Sequence, residues 1–277
     1  MNTIYAVMDT LLPFEWLGYG FMKNALLAML LIAPLFGMLG TMAVDNKMAF
    51  FSDALGHSAL TGIAIGVVLG WENQMAAMLI FGILWAIMIT FVKHNSKMSA
   101  DTIISVFSSM SVALGLVVLS RGGAFAKYSG MLVGDVLSVT QGDLLALLVT
   151  LLAAAVIWAL LFNPLLVTSI NAPLALSRGV RAKLTEYVFT VLVAVAVMVS
   201  IRWVGVMLIN SLLILPAAAS RNVARSAASY LRLSVLISLL CGVVGLVLSY
   251  YLNTSAGAAV VLTAACVYFV TLPLRRK

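Results

Sequence analysis

An aspartate and a histidine four residues apart, Asp53 and His57, stand inside an otherwise apolar and small-residue run at positions 48–70, MAFFSDALGHSALTGIAIGVVLG. Residues at that spacing share a helix face with Cβ atoms about 5–6 Å apart, so a carboxylate oxygen and an imidazole nitrogen can meet at one cation. Those ligand types suit zinc or manganese, whereas copper(I) favours thiolate or thioether. One helix supplies only half of a four-coordinate set. Two copies meeting at a two-fold axis would supply two histidines and two aspartates, a plausible zinc site that also admits manganese with added water.

The element that must hold this pair is a crossing helix, because a bilayer takes about 20 predominantly apolar residues. With a helix starting at Met48, His57 lies roughly 13 Å deep, near the midplane. An ionisable group there costs at least ~2.5–3.5 kcal/mol on insertion scales and usually faces a cavity, a partner or an ion. The bland alternative is that Asp53 and His57 bond each other or a neighbouring helix as packing glue. Ser52, Ala54, Gly56, Ser58, Ala59 and Gly62 around them leave room for close helix approach or for an ion beside the backbone.

The whole chain repeats this chemistry. Of its 277 residues 64% are hydrophobic and 9% charged, with a mean hydropathy of +1.15, against about 25% charged in a soluble domain. The composition specifies an all-α, polytopic integral membrane protein of one domain, 1–277. The net charge of +7 does not indicate nucleic acid, since the basic residues lie in short loops between apolar spans. Cys241 and Cys266 sit in apolar segments and act as small hydrophobes, with no disulfide indicated. Residues 1–21, with Asp9, Glu15 and a break at Pro13, suggest an interfacial helix and turn.

Hydropathy gives about nine spans, within a range of eight to ten: 22–44, 48–70, 74–92, 102–120, 143–161, 186–201, 204–219, 230–250 and 256–272. Trp16 and Tyr19 read as interfacial aromatics, and Pro34 with Gly37 suggests a kink in the first span. Segments 121–142 and 163–185 read as loops too polar or glycine-rich to cross. Asp143 opens the fifth span, and Arg202-Trp203 reads as an anchor. With nine spans, only Lys23, Arg121, Lys127 and Arg202 of the 16 basic residues fall on the N-terminal face. The positive-inside rule then places the N-terminus outside and the C-terminus in the cytoplasm.

A second informative stretch is 204–226, VGVMLINSLLILPAAASRNVARS, where Pro216 is expected to end a short helix. Beyond it Arg221 and Arg225, four apart, would share a face of a compact basic element. By charge alone this is an ordinary cytoplasmic loop. SDALGH followed by SALTG, then SADTIISVFSSMSVALGLVVLS, GDVLSVTQGDL and VGVMLINSLLILPAAASR, in that order over 45–225, resemble the signatures of the zinc- and manganese-type (ABC-3) ABC transporter permeases. The aspartate and histidine pair in its small-residue setting is the most specific part. Gly56 departs from the serine or alanine common there, and Ser220 from alanine. The resemblance implies a multi-pass prokaryotic cell-membrane permease that dimerises. It implies a metal path lined by Asp53 and His57, a separate cytoplasmic ATPase and an extracytoplasmic metal-binding protein. It puts ATPase coupling on Ser220, Arg221, Asn222, Val223, Ala224, Arg225 and Ser226.

The remaining polar residues carry less. His94, beside Lys93, reads as a solvated and structural loop residue; Asp101 as a helix N-terminal charge or a weaker pathway residue; Asp135 as a cap or a gate-orienting group; Glu72 as a cation attractor at the outer mouth. Met38 and Met42 sit at helical spacing, but methionine is a flexible gap-filler and the 15 in the chain are scattered. No G-x-x-x-x-G-K-[ST] occurs, so the chain has no phosphate-cradling loop and ATP hydrolysis belongs to a partner. The expected function is import of zinc or manganese as an ABC permease with no permanently bound cofactor. The alternative is a gradient-driven metal cation transporter or channel using Asp53 and His57 as a proton-coupled site.

Overall fold

A computed structural model describes residues 5, 8, 14–122 and 134–274. Most of the N-terminal stretch around Pro13, most of the loop after Arg121, and Arg275 to Lys277 lie outside the described residues. The described chain opens with a single-turn 3-10 helix, Glu15–Gly18, that buries Trp16 and Leu17. Then come α1 (Gly20–Asp45), α2 (Phe51–Val68), α3 (Gln74–Asn95), α4 (Ala100–Gly122), α5 (Gln141–Ile170), α6 (Ala172–Ser177), α7 (Ala182–Val223), α8 (Ala227–Leu252) and α9 (Ala256–Thr271). No strand occurs among them. Among the described residues eight helices are long and apolar enough to cross a bilayer.

One of the eight, α7, is two passes. Its 42 residues would measure about 63 Å if straight, twice a hydrocarbon core, but the backbone leaves helical geometry at Gly205 (φ 75°, ψ 162°). Before the break the limb runs antiparallel to α3: Glu186 meets Lys93, Thr190 bonds Thr90, and Met198 fills the space beside Gly82. After it the chain returns alongside α9, Leu208 lying near Gly257 and Asn222 bonding Thr271. The sequence-based spans at 186–201 and 204–219 are therefore separate limbs joined by a one-residue reversal, which makes nine passes among the described residues.

These limbs form the buried centre, with Ala194, Ala196, Val197, Leu208, Ile209, Leu212 and Leu213 wholly enclosed. Helix contact depends on small residues, since apolar side chains gain little from leaving lipid for one another. A Cβ on Gly40 would stand 1.9 Å from the Leu213 carbonyl oxygen, and one on Gly56 would meet Val206 at 2.5 Å. On the periphery Leu145, Leu152, Val156 and Leu160 of α5 point outward, as lipid-facing side chains do.

α1 continues through Pro34, and Gly37 admits α8, whose Ser234 Oγ donates to the Gly37 carbonyl at 2.6 Å. Three expectations need correction. Segment 163–185 is largely helical, because α5 passes through Pro164 to Ile170 and α6 follows. Pro216 likewise lies within α7. In each case the missing N–H breaks at most one bond of a helix held by its neighbours. Finally, α2 begins at Phe51 because Met48 is used in the preceding turn, where its N–H bonds Ala43 O at 2.8 Å. His57 is thus about 9 Å into its helix rather than 13 Å.

Candidate metal site

Asp53 lies in the first turn of α2, where the exposed N–H groups of the helix favour a negative charge. That placement lowers the penalty of an intramembrane carboxylate. His57 follows one turn later, its Nε2 3.7 Å from Asp53 Oδ2. The two side chains keep 39% and 30% of their surface open in the single chain while the small residues between them are buried. Asp53, His57 and Leu60 form an unclosed stripe along one face of α2.

Two partners come from elsewhere in the fold. Asn210, on the returning limb of α7, donates from Nδ2 to Asp53 Oδ1 at 2.9 Å. The Ser108 hydroxyl of α4 stands 3.5 Å from Asp53 Oδ2. A carboxylate accepts and never donates, so the Asn210 amide is oriented nitrogen-first, leaving its own Oδ1 buried without a hydrogen-bond partner. Neither residue was picked out from the sequence, although an asparagine in the apolar run VMLINSLL is a signal of the same kind as Asp53. Beside His57, Thr61 Oγ1 donates to the Ser111 carbonyl at 2.6 Å, and a cavity of about 180 Å³ opens between α2 and α4.

Imidazole nitrogen with carboxylate oxygen fits a borderline divalent cation as cargo. Among the described residues no group of three or more His, Cys, Asp or Glu comes together, so one chain offers a pair of such ligands.

The other sequence candidates are placed as follows. His94 is not solvated: its Nε2 is 3.1 Å from Glu186 Oε2 and its ring packs on Tyr187, while Lys93 Nζ is 2.5 Å from Glu186 Oε1. Asp101 is exposed in the first turn of α4, and Glu72 in the turn before α3. Asp135 caps a short 3-10 helix, accepting from Leu137 N at 3.0 Å, and Asp143 completes a capping box with Thr140. Met42 is buried and Met38 packs against the core; both cysteines are free. Ser220 to Val223 form the last turn of α7, Ala224 is extended, and Ser226 caps α8. Arg221 and Arg225 therefore do not share a helix face. Arg221 Nη1 instead pairs with Asp45 Oδ1 at 3.2 Å, and Arg225 is exposed.

Long apolar helices packed into one bundle define a multi-pass membrane protein. The model of the ABC 3 transport family matches residues 18–275, and the chain belongs to that family. Its relatives include the manganese import system permease protein ScaB of Streptococcus parasanguinis, 32% identical over 94% of this chain and 93% of that protein. The high-affinity zinc uptake system membrane protein ZnuB of Haemophilus influenzae is 30% identical over 91% of this chain and 97% of its own. Among solved structures, PsaBC from Streptococcus pneumoniae in complex with Fab superposes with a TM-score of 0.78 at 29% identity, covering 98% of this chain and 95% of that one.

Proposed function

We propose that this chain is the permease subunit of a bacterial ABC importer that carries zinc or manganese through the cell membrane by way of Asp53 and His57. The observation that carries the reading is the pair itself: two metal-ligating side chains 3.7 Å apart on a helix face that the single chain leaves open. A second copy placed against that face would complete a four-ligand site around a two-fold axis. Family membership supports the transport class, and the printed names of ScaB and ZnuB support manganese or zinc as cargo.

The end of the bundle carrying Lys47, Lys93, Lys97, Arg178, Arg181, Lys183, Arg221 and Arg225 faces the cytoplasm by the positive-inside rule, which leaves the N-terminus outside. At that end 220–226 meets a separate ATPase, and an extracytoplasmic protein delivers metal to the opposite face. Support for the coupling role comes from α7: its returning limb holds Asn210 against Asp53 and Arg221 against Asp45. The test is metal uptake by the chain reconstituted with its ATPase and metal-binding protein. Uptake that requires ATP and stops in Asp53→Asn upholds the reading, and uptake by the permease alone down a gradient overturns it.

A further inference from the structure

We infer that Asn210 fixes how many oxygens Asp53 offers the cation, and thereby biases the site toward zinc over manganese. The inference rests on the reading of Asp53 and His57 as cation ligands. A carboxylate can ligate through one oxygen or both. Here Asn210 Nδ2 occupies Oδ1 at 2.9 Å, while Oδ2 is the oxygen turned toward His57 Nε2, 3.7 Å away. The Ser108 hydroxyl, 3.5 Å from Oδ2, can rotate aside.

Asn210 cannot easily withdraw. Its limb is pinned on one side by Val206 against Gly56 and on the other by the Leu213 backbone against Gly40. Nor can its amide turn over, because the amide oxygen would then face a carboxylate oxygen with no proton between them. The amide takes one lone pair of Oδ1 and holds the carboxylate plane, so each chain turns Oδ2 and the His57 nitrogen toward the cation and offers Oδ1 only at the cost of that bond. Two chains make a set of two oxygens and two nitrogens, which is the coordination number zinc prefers. Manganese favours octahedral, oxygen-rich surroundings and would have to recruit water or the second carboxylate oxygen. Replacing Asn210 by leucine, similar in shape but without a donor, frees Oδ1 for the cation.

The experiment measures zinc and manganese dissociation constants for the purified permease and ATPase complex, comparing wild type with Asn210→Leu. A hydrogen-bond partner behind a ligand is typically worth 10–100-fold in metal affinity, so the manganese-to-zinc Kd ratio should fall by roughly tenfold in Asn210→Leu. Ser211→Ala, which alters a buried, unpartnered hydroxyl on the same limb, should leave the ratio unchanged. If Asn210→Leu does not assemble, Asn210→Ala carries the same expectation. Equal weakening of both metals would make Asn210 merely structural and overturn the inference. A ratio that moves toward zinc would make the amide oxygen a ligand itself, and also overturns it. Asp53→Asn serves separately: if it keeps full affinity for both metals, the ligand assignment fails whatever Asn210 does.

Discussion

Gly134 and Gly70 allow the α7 reversal to be tested in isolation. Both have positive φ, +68° and +71°, so an alanine at either suffers a similar backbone strain of about 1–2 kcal/mol. Their surroundings differ. A Cβ on Gly70 would meet nothing within 4 Å, whereas one on Gly134 would stand 2.2 Å from Gly205 N and 2.4 Å from the Val204 carbonyl carbon. Those are backbone atoms at the tip of the reversal and cannot rotate away, so overpacking adds about 1–3 kcal/mol. One kcal/mol moves the melting midpoint of a chain near this size by roughly 2–4 °C, which places Gly134→Ala about 2–12 °C below Gly70→Ala. Thermal unfolding in detergent measures this directly, and metal uptake should fall in parallel because the tip positions Asn210 beside Asp53. If Gly134→Ala melts no lower than Gly70→Ala, the contact does not hold the tip and the account of α7 is wrong.

Asp53→Asn with His57→Ala should abolish metal transport while the chain still inserts and assembles; undiminished uptake refutes the site. Imidazole ligates only as the neutral base, so metal binding should weaken as the medium is acidified, and a flat curve between about pH 5 and 8 would count against His57. Arg225→Glu, at an exposed position that leaves the Arg221–Asp45 pair in place, should weaken ATPase association and uncouple hydrolysis from uptake, leaving metal affinity at Asp53 and His57 intact; unchanged ATP-driven uptake would remove 220–226 from the coupling role. Glu186→Gln leaves the Lys93 ammonium largely buried without its carboxylate, a loss of about 1–3 kcal/mol. The melting midpoint should drop correspondingly and be partly restored by the added change Lys93→Met, whereas no drop would show that the Lys93, His94 and Glu186 cluster is not structural.

The pair at Asp53 and His57 was legible because a charge in an apolar helix stands out at any register, and their spacing alone puts them on one face. The split of α7 was legible too, from the polar Arg202-Trp203 step beside Gly205. Proline misled at 216, and α5 likewise runs through Pro164. Sequence rules treat it as a helix breaker, yet in a bundle the neighbouring helices supply what one lost hydrogen bond removes. Asn210 and Ser108 escaped because nothing in their own segments indicates which helix they face; their role exists only once α7 folds back against α2. His94 was taken as solvated for the same reason, its partner Glu186 lying 92 positions away across α4, α5 and α6.

The returning limb of α7 explains how an event at the basic end can reach the pair. Arg221 grips Asp45 at the end of α1, and Asn210 grips Asp53 at the start of α2. Those two carboxylates flank one short turn. The two grips are 11 residues apart on a continuous helix, about 16 Å at 1.5 Å per residue. Leu213 and Val206 lock that helix to Gly40 and Gly56 between and beyond them, so it moves with the α1–α2 corner rather than sliding past it. A displacement of Val223 would therefore carry Asp53 and His57 together, since both stand on the helix that Val206 locks at Gly56. Under the proposed two-copy site, such a shift changes the separation of this pair from its counterpart across the two-fold axis, and the helix that receives the push would thereby set how tightly four converging ligands hold the ion.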